Sequence, residues 1–241
     1  MTALMTALVV HEDAAELGIK HPAACLIRGV RLTDADGALD AEIERLMDTL
    51  QAAPETILER PEVRGFDELF ARMGYRKQTP AGRRLVEGFR KRGFKRYGNV
   101  IDAYNLASAW FGSGLGMHDA ARLTGDVRVF RATGSEQIVP LFKTEPANVV
   151  RGDLVYADGE PAGDLGDGGG ERLLAWLGQR DVDSDAYKVR DDTTSLLLVA
   201  LGNAATSEDY NRGACLKAVE LIRRTCPEAT AEFLETDPAG R

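Results

Sequence analysis

Three groups of residues in this chain have types and spacings suited to chemistry. The first is Asp102 and Asn105, one helical turn apart, followed by the glycine-rich stretch Gly112-Ser113-Gly114-Leu115-Gly116. An Asn amide can orient a water, and glycines let backbone N–H groups approach a developing oxyanion closely. Each preorganised donor of that kind contributes about 10²–10³ in rate. The same Asp–Asn pair serves equally well as a cap for the loop that follows. The second group consists of scattered polar residues: His118, which also reads as a surface residue, Thr194, which also reads as an ordinary strand residue, and Glu136. Glu136 reads first as a partner of Arg131 or of a backbone donor and only second as a base.

The third group is basic. Between Arg72 and Arg96 there are ten Lys and Arg (among them Arg83, Arg84, Lys91, Arg92, Lys95 and Arg96) against one acid, Glu87. The whole chain carries −8, so this segment at +9 leaves −17 on the remainder. A basic stripe on an acidic body suits a polyanion, because the local field rather than the net charge attracts phosphate. A solvated helix face is the alternative.

Other chemistries lack their signatures. Phe111-Gly112-Ser113-Gly114-Leu115 has the wrong register for a nucleophile elbow, and no P-loop or dinucleotide fingerprint follows a strand. Cys25, Cys215 and Cys226 form no CxxC pair, and His11, His21 and His118 are scattered, so neither a disulfide framework nor a metal is expected. No organic cofactor is expected either. The N-terminal residues lack the basic region of a secretory signal and no apolar run approaches a membrane span, so the expected location is the cytoplasm.

These residues need elements to hold them. Ala7–Val10 and Ala23–Leu32 read as strands, and Leu39, Ile43, Leu46, Met47 and Leu50 form one apolar helical stripe. A short helix is expected over Phe66–Met73 and a basic one over Thr79–Arg92, with Thr79 as N-cap, Pro80 first in the helix and Gly93 at its end. Asn99–Phe111 is the next helix. The pattern then turns to β at Val127–Ala132, Gln137–Phe142, Asp153–Ala157 and Thr194–Leu201, with a glycine-rich loop at Gly159–Gly170. Ser207 caps a last helix to about Thr225, and the final ten or so residues read as a frayed tail. The class is α+β, and 241 residues fit a single domain, 1–241.

Several segments in this order resemble the B3/B4 editing domain of the bacterial phenylalanyl-tRNA synthetase β subunit, here free-standing. Asn99-Val100-Ile101-Asp102-Ala103-Tyr104-Asn105 is similar to its NxVVDxxN helix, and Gly112–Asp119 to the loop after it. Val127–Leu141 resembles the VRxAxGExxxxL hairpin, and Gly152–Asp158 resembles GELVYAD. Arg180-Asp181, Lys188-Val189 and Asp192-Thr193-Thr194 resemble the ending of free-standing members, so that the match spans about residues 75–202. The resemblance implies an antiparallel, barrel-like β core with flanking helices, and hydrolysis of mischarged tRNA in trans. Carried over residue by residue, it implies a catalytic set of Asn105, Gly114, Gly116 and Thr194. Substrate would be bound by Asp102, Tyr104, His118, Glu136, Arg180 and Asp181; the tRNA-binding set, Arg83, Arg84, Lys91, Arg92, Lys95 and Arg96, is expected from the +9 charge of its segment. The synthetase domain removes tyrosine; here Tyr104 replaces its Thr and Gly116 its His, and its Glu falls near Arg180 and Asp181. Two alternatives stay open: a module that binds tRNA or a synthetase without catalysis, and a hydrolase of small amino-acid esters or amides.

Overall fold

The computed structural model describes residues 7–34, 37–159 and 172–238. The apolar run Leu196-Leu197-Leu198-Val199-Ala200 is buried along its whole length, which a strand allows only if both faces are covered. It lies in strand β10 (Ser195–Ala200), inside a four-stranded antiparallel sheet ordered β11-β2-β10-β3. The partners are β2 (Ala23–Arg28), β3 (Gly116–Asp119) and β11 (Thr230–Phe233). Alternate residues serve the two sides. Leu196, Leu198 and Ala200 pack against a helical layer, whereas Leu197 and Val199 pack against a second sheet.

That second sheet has six strands in the order β12-β1-β4-β7-β8-β9. They are β1 (Ala7–Val10), β4 (Val127–Arg131), β7 (Leu154–Asp158), β8 (Leu173–Leu177), β9 (Asp181–Asp183) and β12 (Glu235–Pro238). Its far face carries Phe130, Val155 and Trp176, covered by the small hairpin of β5 (Gln137–Ile138) and β6 (Ala147–Asn148). Most pairings are antiparallel, but β1 pairs parallel with both β4 and β12.

Seven helices among the described residues complete the chain: α1 (Glu12–Glu16), α2 (Asp40–Ala52), α3 (Glu55–Leu58), α4 (Pro61–Arg72), α5 (Ala81–Arg92), α6 (Asn99–Phe111) and α7 (Glu208–Arg223). The α+β class is as expected. Small residues let α6 and α7 pack closely, with Ala103, Ala107, Ala214 and Ala218 all buried. Ser207 does cap α7, accepting the Tyr210 N–H at 3.1 Å. Among the described residues no helix is long and apolar enough to cross a membrane.

Several expectations fail for local reasons. The tail is not frayed: Thr230–Phe233 pairs with β2, and Glu235–Pro238 pairs with β1. The strand expected over Gln137–Phe142 stops at Ile138, because the chain turns at Phe142 with φ 62. Strand β2 ends at Arg28, before Gly29 at φ 79. The expected loop Gly159–Gly170 lies, after Gly159, outside the described residues.

Candidate functional site

A cleft opens between α5, the Gly114–Gly116 segment and the β9 end of the large sheet, with a cavity volume of about 100 Å³ and a mouth open to solvent. Phe66, Phe70, Leu115, Leu177, Val199 and Leu201 give it an apolar lining. Set into that lining are four polar side chains, Asp181, Asp183, Tyr104 and Tyr156.

The carboxylates share a face because they stand two apart on a strand. They differ in what holds them. Asp181 accepts the Ala81 N–H at 2.5 Å and lies 3.9 Å from the Arg84 guanidinium. Burial raises its carboxyl pKa, opposed by Arg84 and by that N–H. Asp181 also explains how α5 begins. Thr79 does not cap it; Pro80 takes the N-cap position with extended backbone, no side chain of α5 closes the turn, and the carboxylate from β9 satisfies an orphan donor instead. Asp183 has no such support. Among the described residues no side chain or N–H donates to its carboxylate. Burial first, and the Asp181 charge second, push its pKa up to about 8.

Close backbone contact builds the opposite wall. Gly82 in α5 abuts the turn after α6, so that a Cβ there would meet the Gly112 carbonyl oxygen at 2.3 Å. Gly116 meets the Tyr156 hydroxyl in the same way; a Cβ would stand 1.9 Å from that oxygen. Tyr104 donates to the Leu115 carbonyl. Burial, reinforced by Asp181 and Asp183, holds both phenols well above their ordinary pKa and so protonated. The Gly114 N–H has no acceptor among the described residues.

His118 is neither on a loop nor at the surface. It sits fully buried in β3, with Nε2 2.8 Å from the Tyr156 hydroxyl. Burial lowers its pKa to about 3, so the ring is neutral and stands behind Tyr156. Of the residues singled out from sequence, the cleft brings together Gly114, Gly116, Tyr104 and Asp181. Asn105 is half-buried, beside Tyr104 in sequence but not part of the lining. Asp102 caps backward, accepting the Tyr97 N–H at 2.8 Å, and burial raises its carboxyl. Glu136 closes its own turn: burial would raise its pKa, but donors from Thr133 and Gly134 outweigh that and lower it. Arg180 is exposed, 5.9 Å from the Trp176 ring. Thr194 is exposed, and its carbonyl accepts the Gly29 and Val30 N–H groups.

The basic residues divide as sharply. Arg83 is tied to Asp67 at 2.9 Å and to the Leu58 carbonyl, and Arg96 is paired with Asp40. Lys95 lies 4.8 Å from the Tyr97 ring. Arg84 stands at the cleft rim, while Lys91 and Arg92 are exposed at the far end of α5. Cys25 and Cys215 are core residues whose thiols are pushed up by burial. Among the described residues no group of three or more His, Cys, Asp and Glu is arranged to hold a metal.

Residues 67–212, more than half the chain, match the family model of the B3/4 domain. The chain belongs to the B3/4 domain family. Of the residues lining the cleft, only Phe66 falls outside the B3/4 match. In fold the chain is similar to an N-terminal fragment of the phenylalanyl-tRNA synthetase β subunit from Pyrococcus horikoshii, with a TM-score of 0.51 at 12% identity. The likeness covers 99% of this chain and 53% of that one, so the B3/4 chain spans about half the length of its neighbour. Comparison with the curated proteins gives no match.

Asp183, Tyr156 and Ala81 had no place in the sequence reading of the site. The D-x-D spacing of Asp181 and Asp183 was the available signal, since it puts both carboxylates on one face of any strand.

Proposed function

We propose that this B3/4 protein hydrolyses the ester of mischarged tRNA in trans. The observation that carries the reading is Asp183: a carboxyl without a donor, at the wall of an apolar cleft, with its pKa raised to about 8. An aminoacyl ester is already activated, so catalysis needs a base for one water and donors for one oxyanion. Asp183 takes the proton from the attacking water, and its raised pKa makes it a stronger base than an ordinary carboxylate. Asp181, held by Arg84 and Ala81, supplies the neighbouring charge that helps raise it. The Gly114 N–H and the protonated Tyr156 hydroxyl, which can accept from His118 Nε2 and donate its own proton onward, are the candidate donors to the oxyanion; the Tyr104 proton is held by the Leu115 carbonyl.

Helix α5 supports tRNA as the carrier of the ester. Its first residues line the cleft, and twelve residues later, about 18 Å along at 1.5 Å per residue, it ends in exposed Arg90, Lys91 and Arg92. A phosphate chain lying along α5 therefore runs from a basic end to the carboxylates. A panel of tRNAs, each charged with cognate or non-cognate amino acid, tests the reading. Release of amino acid from at least one mischarged species is expected. Binding without turnover would leave a tRNA-binding module, and turnover of small amino-acid esters alone would leave a small-molecule hydrolase.

A further inference from the structure

Phe142 is 81% exposed, and among the described residues it is the one non-glycine with positive φ, at 62. It occupies the third position of a tight turn closed by the Lys143 N–H on the Pro140 carbonyl, at 2.9 Å. A left-handed residue there is ordinarily Gly or Asn, because a Cβ is strained in that conformation. The chain thus carries both a strained backbone and an exposed aromatic ring at a position where folding calls for neither. The surroundings hold the turn firmly. The Phe142 N–H donates to Asp185 Oδ1 at 2.9 Å, and Lys188 Nζ binds both Asp185 oxygens, at 2.8 and 2.9 Å, while standing 5.9 Å from the Phe142 ring.

The turn also lies beside β9, whose Asp183 lines the cleft. The Leu141 N–H donates to the Asp183 carbonyl at 2.8 Å, so the segment bearing Phe142 runs beside β9 as one more strand would. Strand spacing then puts the Phe142 backbone within about 10 Å of the Asp183 backbone. An exposed aromatic ring with exposed Lys143 next to it is the arrangement that takes an unstacked base with its phosphate, while Lys188 is paired with Asp185 and holds the turn.

We propose that Phe142 is the stacking platform for the 3′-terminal base of the tRNA whose ester lies at Asp183. The proposal rests on the deacylase reading for the position of the ester, but the platform can be measured without turnover. The probes are charged tRNA, for KM and kcat, and the single-stranded oligoribonucleotide ACCA with and without its terminal base, for Kd. The variants are Phe142→Ala, Phe142→Gly and Phe142→Tyr. Glycine suits the left-handed turn, so Phe142→Gly keeps or raises the melting temperature and separates stacking from folding.

Both Phe142→Ala and Phe142→Gly are expected to raise the KM for charged tRNA and the Kd for ACCA about tenfold or more, with kcat within twofold. Phe142→Tyr retains wild-type values, and the oligonucleotide lacking its terminal base binds wild type as weakly as ACCA binds Phe142→Ala. Unchanged KM and Kd in Phe142→Gly overturn the platform and leave hydrolysis standing. Binding of ACCA through Phe142 without turnover of any charged tRNA supports the platform and removes the deacylase. A wild-type protein that neither binds ACCA nor hydrolyses charged tRNA counts against both. A loss of self-association as the sole effect of Phe142→Ala assigns the ring to a protein contact and also overturns the platform.

Discussion

Asp153 and Asp183 are both acids of the large sheet's second half, yet they are provided for in opposite ways. Asp153, just before β7, is buried and saturated: it accepts the Tyr75 hydroxyl at 2.8 Å, the Trp176 indole N–H at 2.7 Å and the Gln179 N–H at 2.8 Å. Asp158, at the end of β7, is similarly served by Thr124 and Gly125. Asp183 sits at the cleft wall with a second carboxylate for a neighbour and no donor among the described residues. A buried acid that staples the fold is surrounded by donors, because an unsatisfied one would cost more than its burial returns. An acid left without them is free to serve a ligand, and the rest of the fold carries the cost.

Replacing each acid separates the two roles. Asp153→Ala strips the acceptor from three donors, each worth about 1–3 kcal/mol when left buried without a partner. A loss of about 3 kcal/mol or more is expected, a fall of roughly 6–12 °C in melting temperature for a chain of this size. Asp183→Asn should do the reverse, lowering deacylation about 10²–10⁴-fold in a protein that melts no lower than wild type. The pH dependence has a definite sign. A folded-state pKa raised from 3.8 to about 8 favours the folded state most at low pH, and that contribution is lost as pH rises across this window. Asp183→Asn therefore flattens the decline in stability between about pH 4 and pH 8, read from melting curves.

Gly116 sharpens the comparison from the other wall. Gly116→Ala forces a methyl against the Tyr156 hydroxyl, with an expected loss of about 1–3 kcal/mol and displacement of Tyr156. Adding Tyr156→Phe removes the nearest clash but leaves His118 Nε2 2.9 Å from the new methyl and without its hydroxyl partner, so stability should recover only in part, and activity not at all if the hydroxyl contributes to the reaction. Full activity in the double variant would reduce Tyr156 to a packing residue.

The smallest effects belong to the basic helix, where the ion pairs sort residues that composition alone could not. Replacing Lys91 and Arg92 by Gln should weaken tRNA binding and reduce the salt slope by about one for each phosphate no longer neutralised. Arg83→Gln should instead destabilise the fold through Asp67, with little change in that slope. Equal slopes for the two variants would place no phosphate at the end of α5.

The long periodic elements were legible in the sequence, and the decisive site residues much less so. Asn99–Phe111 and Ala7–Val10 have the expected bounds, because their apolar spacing and end signals agree. Strand β9 is three residues of Asp-Val-Asp with no apolar run, and β3 is Gly-Met-His-Asp, so pairing across the sheets rather than local pattern makes them strands. That is why His118 read as a surface residue and Asp183 went unnoticed. The tail failed for the same reason: Thr230–Phe233 and Glu235–Pro238 are polar edges that become strands only beside β2 and β1. The resemblance reached Gly114, Gly116, Tyr104 and Asp181 by their order along the chain; it also covered the segment of Tyr156 without assigning that residue a role, and the D-x-D spacing that pairs Asp183 with Asp181 was passed over.

The central claim is that Asp183, and not an imidazole, is the group that ionises for hydrolysis. Single-turnover release of amino acid from a mischarged tRNA, measured between pH 6 and pH 9 with wild type and Asp183→Asn, tests it directly. In wild type the rate should climb from pH 6, be half-maximal near pH 8 and level off above it, with no separate step at about 6.5, because His118 is neutral throughout this range. The Asn variant should be slow and flat. A wild-type profile that is half-maximal near pH 6.5 and level above pH 7.5, or an Asp183→Asn protein that keeps the wild-type rate and profile, would contradict the account.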